Sequence, residues 1–306
     1  MKKEKLLNTI KSFCVPAKFS GEREKKFEIT MNNSYLNARG RIPKRQTLIS
    51  SFTRKLTPGD VSGLFSTQYV FDQVAYSEKS DKHGEVSPIN WTFMKEKDIL
   101  FHIFSLNKKD LPPDSNRETW KENFTINQNL GTTYKTFSSF PRLPSVYLMI
   151  MQIMDIFGFE TYLSYIHSIP ELAAPGRPHL VTLMRSMMQG TKAPIDFGLY
   201  SKNSFFEDSD YYMTNMGISI QNEKPCILFE FRCDGAKVMM QDKNREDIKR
   251  SGSSYYSGYV FINVETGDIE KATMLESYVA LQFAGKDSEE RKVPIHIRRS
   301  ISMTAL

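Results

Sequence analysis

This 306-residue chain holds only five histidines, so imidazole for general-base work or metal ligation is scarce. The most suggestive is His296, which stands two residues from Arg298 in an alternating stretch. Side chains at i and i+2 of a strand share a face. Glu230 and Arg232 repeat the arrangement in another strand pattern. Were those two strands neighbours, Glu230, Arg232, His296 and Arg298 would form a polar cluster able to grip an anionic group. The plainer reading is cross-strand pairing on a wet sheet face. His83 shares a polar stretch with Asp81 and Glu85, while His102, His167 and His179 lie in apolar or proline-flanked surroundings that suit local hydrogen bonds.

No sequence signature assigns a catalytic residue. A phosphate-cradling loop, a dinucleotide fingerprint, a His-Glu-x-x-His pair and a Gly-x-Ser-x-Gly elbow are all missing. Cys226 and Cys233 fall on one strand, about 23 Å apart at the usual rise, well beyond the roughly 7 Å a disulfide spans. With Cys14 they read as scattered thiols, and the chain is expected to need neither metal nor cofactor.

Charge gives a different kind of candidate. The formal net charge is +6, yet residues 1–60 alone carry 14 basic against 5 acidic side chains. That segment is +9 and the remainder −3. The densest run holds Arg39, Arg41, Lys44 and Arg45, a candidate contact for nucleic acid or another polyanion. It contains no aromatic residue, which single-strand readers normally interleave with their charges.

A third set comes from apolar surface. The stretch 146–167 is capped by Ser145 and is apolar almost all round in its first half, broken by Gln152, Asp155 and Glu160. Those three keep it short of a membrane span. Met149, Ile153 and Phe157 are candidate contacts for an apolar ligand or partner, because methionine adapts to irregular surfaces. Tyr255 and Tyr256 join them from the small, aromatic stretch 251–258, read as a long hairpin loop.

The elements that must position these residues follow from periodicity. Two helices are expected, over 146–167 and 179–189. From 211 onward the pattern is a meander of about six strands, with Asp234-Gly235 as a hairpin turn. In the stretch 293–303, Val293, Ile295, Ile297, Ile301 and Met303 share one face, with Arg299 as the exception. The expected fold is therefore α+β, mainly antiparallel, with two central helices on the sheet. A basic arm with a short helix occupies 1–60, and one body occupies 61–306: a β-rich half at 61–140, a helical layer at 141–190 and the meander at 191–306.

Composition excludes a disordered, collagen-like or multi-span membrane chain: 40% of residues are apolar and 25% charged. No signal-peptide run opens the sequence, so the expectation is cytoplasmic, with export after processing as the alternative. The leading functional expectation is a non-enzymatic binding or assembly protein that holds an apolar ligand or partner against a Met-rich helix and curved sheet. The alternatives are a virion-type assembly subunit using its basic arm, and a hydrolase with dispersed acidic residues.

Overall fold

A computed structural model describes residues 23–58, 64–80, 91–94, 101–106, single positions between 148 and 166, 170–181, 193–194, 201–242 except 202 and 208, 245, 247–284 and 291–306. One antiparallel sheet dominates. Its main path begins with β4 (Trp91–Met94), β3 (Leu64–Ser80), β2 (Lys44–Pro58) and β1 (Arg23–Leu36). It continues through β13 (Arg291–Ala305), β12 (Ile269–Ala284), β11 (Ile248–Asn263) and β10 (Lys224–Gln241) to β8 (Phe205–Glu207) and β7 (Ala193–Pro194). β5 (Phe101–Leu106) pairs with β3, while β9 (Tyr211–Gln221) pairs with β10 and with β6 (Pro178–Leu180).

The last strand closes the sheet's centre. β13 lies between β12 and β1, with Met303 opposite Ile29 on one side and Ala272 on the other. Alternation sorts the faces. Phe27, Ile29 and Met31 on β1, Ile301 and Met303 on β13, and Phe229 and Phe231 on β10 are all buried on the same side. Between them stand Glu28, Thr304 and Lys271, which face the other way.

The buried face is the inside of a curve. Glu160 reaches Arg54 on β2, while its neighbour Phe159 packs against Phe231 on β10 at 6.3 Å between ring centroids. On a flat sheet β2 and β10 stand five spacings apart, roughly 24 Å. Adjacent residues can touch both only if the sheet curls around them. Gly252 and Gly258 allow that curl, since each points inward on β11. A Cβ on Gly258 would sit 1.9 Å from the Thr273 carbonyl oxygen and 2.6 Å from the Phe231 ring.

These observations correct the expected α+β fold. Among the described residues the protein is nearly all antiparallel β, at 74% strand, and no helix of seven or more residues is described. Described positions between 148 and 166 do have helical backbone, so the apolar run does supply one covering segment. The second expected helix begins instead as strand β6, whose Pro178, His179 and Leu180 pair with Thr214, Met213 and Tyr212. Its remaining residues, 182–189, lie outside the described set. The free side of β9 there offers backbone partners, and that pairing outweighs a helical periodicity starting next to a proline.

Asp234-Gly235 is also not a hairpin turn. β10 runs unbroken through it, with the register shifting between Cys233 and Ala236. Gly235, at φ 145°, takes the backbone of a bulge that lets an 18-residue strand bend. Stretch 251–258 is the middle of β11 rather than a loop. Its small residues serve close strand approach, which composition alone reads as turn-like. Finally, residues 23–58 are no arm: they form β1 and β2, two inner strands of the sheet.

Candidate binding face and its buried ion pairs

The helical residues that are described fall on one side of a helix. Leu148, Gln152, Ile156, Phe159, Leu163 and Ile166 recur at three- and four-residue intervals, and all are buried. Phe159 and Tyr162 meet an aromatic group from the sheet: Tyr162 lies 4.4 Å from the Phe231 ring and 5.3 Å from Tyr211. Tyr256 packs on Tyr211 at 6.1 Å. Met31, Met213, Met274 and Met303 line the same concave core.

Three polar side chains fasten this segment to the sheet. Gln152 accepts from the Ser50 hydroxyl at 2.5 Å and donates to the Ile29 carbonyl at 3.4 Å. Asp155 accepts from Arg299 Nη1 at 2.8 Å. Glu160 forms an ion pair with Arg54 Nε at 2.9 Å. Each arginine also holds a carboxylate that belongs to the sheet. Arg299 Nε donates to Glu276 at 2.5 Å, and Glu276 also accepts from the Ser254 hydroxyl. Arg54 Nη1 donates to Asp268 at 3.0 Å.

The face therefore carries two carboxylates per arginine, in surroundings that exclude water. Burial pushes the Asp155 carboxyl up to about 7; Arg299 draws it down, and the nearby Glu276 charge raises it again. Glu160 is raised for the same reasons, with burial opposed by Arg54 and reinforced by Asp268. Arg54 itself is held above its ordinary value, because Glu160 and Asp268 together overcome the cost of burial. Nearby, Glu270 shows the opposite balance. Hydrogen bonds from Lys25 and Asn263, both at 2.9 Å, and from Lys224 at 3.1 Å outweigh its burial and keep it below the usual carboxylate range.

The structure disperses the other expected clusters. Glu230 and Arg232 on β10 and His296 and Arg298 on β13 all face the convex side, but β11 and β12 separate them by about 14 Å. Arg232 instead lies 5.0 Å over the Tyr212 ring and 3.7 Å from Asp234. His296 Nε2 is 3.0 Å from the Ser277 hydroxyl. Tyr255 is exposed on the convex face while Tyr256 points into the core, so the two do not act together. Met149, Ile153 and Phe157 lie outside the described residues. Arg39, Arg41, Lys44 and Arg45 cluster at the β1–β2 turn, where Lys44 pairs with Glu78 at 3.1 Å. Cys226 and Cys233 are free and buried, and burial pushes the Cys226 thiol up to about 11.

No family model matches the chain, and no curated protein matches it. Among solved structures, a DUF1329 family protein from Desulfovibrio piger ATCC 29098 is similar over 98% of this chain and 89% of its own, at 9% identity and a TM-score of 0.17. OmpT, an outer membrane protein of Vibrio cholerae, is similar over 95% and 99%, at 7% identity and a TM-score of 0.17. P47 from Clostridium botulinum A2 is similar over 92% and 81%, at 10% identity and a TM-score of 0.14. Scores so far below 0.5 carry no argument about fold or function.

The features that matter most on this face were visible in the sequence only as anomalies. Arg299 interrupts an apolar alternation, and Gln152, Asp155 and Glu160 interrupt an apolar run. Neither stretch reveals that the interruptions meet. Among the described residues no His, Cys, Asp and Glu group is arranged to hold a metal ion.

Proposed function

We propose that the protein is a binding protein that takes an apolar ligand onto the concave face of its sheet, in exchange for the helical positions described between 148 and 166. One observation carries this reading. Both sheet arginines that dock the segment keep a carboxylate of the sheet, Glu276 for Arg299 and Asp268 for Arg54. Withdrawal of Asp155 and Glu160 therefore orphans no buried cation on the sheet. It also relieves two carboxylates whose burial is unfavourable. Buried ion pairs add little net stability, so what holds the segment down is its apolar contact, which an apolar ligand can replace. The methionines and aromatic rings left behind suit a flexible hydrocarbon surface.

The test is titration with a polyene fatty acid whose fluorescence rises in apolar surroundings. Saturable one-to-one uptake is expected, and D155N/E160Q changes the apparent affinity because it alters the docked state. No saturable uptake by either folded protein refutes the reading.

The assembly reading that relied on a basic arm loses its simplest test. Deleting residues 1–60 would remove β1 and β2 from the sheet.

A further inference from the structure

The pairing register gathers basic residues from separate hairpins at one end of the sheet. Leu36, His296, Val279, Ser253 and Lys237 lie in one row across β1, β13, β12, β11 and β10. Beyond that row stand Arg39 and Arg41 in the β1–β2 turn, with Lys44, Arg45 and, near the end of β3, Lys79 one or two rows inside it. Arg245, Lys249, Arg250, Arg291 and Lys292 complete the rim. The described acids at the same end are Glu78, Glu207, Asp242 and Asp247; Glu78 pairs with Lys44, Asp247 with Arg245 at 3.0 Å, and Asp242 accepts from the Arg245 backbone N–H at 2.9 Å. In sequence, 81–90 after β3 holds one lysine and two acids, and 285–290 between β12 and β13 holds one lysine and three acids. The β1–β2 turn itself, 36–45, carries four basic residues and no acid.

That hairpin has a defined shape. The Asn37 side chain accepts from the backbone N–H groups of Arg39 at 2.9 Å and Arg41 at 3.1 Å, and Gly40 takes φ 73°. The turn holds Arg39 and Arg41 out in solvent beside Ile42, which is 39% exposed. The same rim exposes Val293 at 47% and Leu281 at 43%. These apolar side chains are aliphatic. The aromatic ring nearest the turn, Tyr35, lies under Lys44 Nζ at 5.5 Å. Cations beside exposed aliphatic groups match the boundary between phosphate headgroups and acyl chains. Phe283, also at this rim, is half-buried under Lys292 Nζ at 5.7 Å, so among the described residues of the turn and of the β12–β13 end no open ring offers the stacking a nucleic-acid strand would use.

We propose that this rim docks on an anionic lipid surface, with the β1–β2 hairpin leading. Arg39, Arg41 and Arg45 meet headgroup phosphates, and Ile42 enters the interface. The inference stands apart from ligand uptake by the concave face and can fail without it.

The experiment is flotation of the full chain with vesicles of phosphatidylcholine, alone or mixed with phosphatidylglycerol. Binding is expected only to the mixed vesicles, falling with added salt. R39Q/R41Q/R45Q should weaken it roughly a hundredfold, given about fivefold per cation at a lipid surface. I42N should weaken binding while leaving its salt dependence unchanged. Circular dichroism and urea unfolding confirm that each variant is folded. Equal binding to both vesicle types, or a triple variant that binds like the wild type, overturns the proposal. So does salt-sensitive binding of single-stranded RNA without vesicle binding.

Discussion

Replacing Asp155 by Asn should stabilise the protein near neutral pH, although it removes half of a buried ion pair. Truncating one partner of such a pair ordinarily costs about 3–5 kcal/mol, because the other charge is left buried and alone. Here Arg299 keeps Glu276 at 2.5 Å, so the substitution orphans nothing. It instead removes the surplus charge. A carboxyl moved from 3.8 to about 7 is more costly to ionise in the folded protein by about 4 kcal/mol, at roughly 1.36 kcal/mol per pH unit. The sign follows from proton uptake. Between pH 4 and pH 7 the folded state retains a proton at Asp155 that the unfolded chain has released, so stability falls as pH rises through that window. Urea unfolding of wild type and D155N at pH 4.5 and pH 7.5 reads the difference directly. The variant should lose the share of the decline that Asp155 contributes, on the order of a few kcal/mol, and unfold at higher urea at pH 7.5. Loss of 3 kcal/mol or more by D155N at pH 7.5 would refute the argument that Glu276 alone satisfies Arg299.

Three further outcomes test the same geometry. R299M leaves both Asp155 and Glu276 buried without their cation and should cost at least about 3–5 kcal/mol, measured by urea unfolding. E160Q should cost much less than R54M, because Arg54 retains Asp268 at 3.0 Å whereas R54M strands two acids; thermal melts of the pair decide it. G258A should destabilise by about 3 kcal/mol or prevent folding, since the added methyl meets the Thr273 backbone at 1.9 Å, while G40A in the open β1–β2 turn should cost only about 1–2 kcal/mol of backbone strain.

How much of this was legible in the sequence depends on the range of the information. Strand alternation is local, and the antiparallel sheet could be read from stretches such as 293–303. Strand order is not local: β13 inserts beside β1, with Phe27 opposite Ala305, and no pattern within either strand announces it. The polar cluster of Glu230, Arg232, His296 and Arg298 failed for that reason, having the right faces but the wrong neighbours. Glycine and serine in 251–258 failed differently. Composition cannot distinguish a residue that is small because a chain must turn from one that is small because another strand must come close.

The same limit explains why the ion pairs were missed while their members were noticed. Arg299 is an exception within an apolar face, and Asp155 and Glu160 are exceptions within an apolar helix. Each alone reads as a charge that must find solvent, because an unpaired buried charge is costly. Two such exceptions of opposite sign in one chain have a second resolution, which is to neutralise each other inside. Glu276 and Asp268 show that this resolution is also not exclusive, since each arginine was already neutral on its own sheet. A segment that brings an additional carboxylate to a satisfied arginine is held by apolar contact and opposed by its own charge. Such a segment can be close-packed, as the rings around Phe159 and Tyr162 are, and still leave the sheet without stranding a charge there.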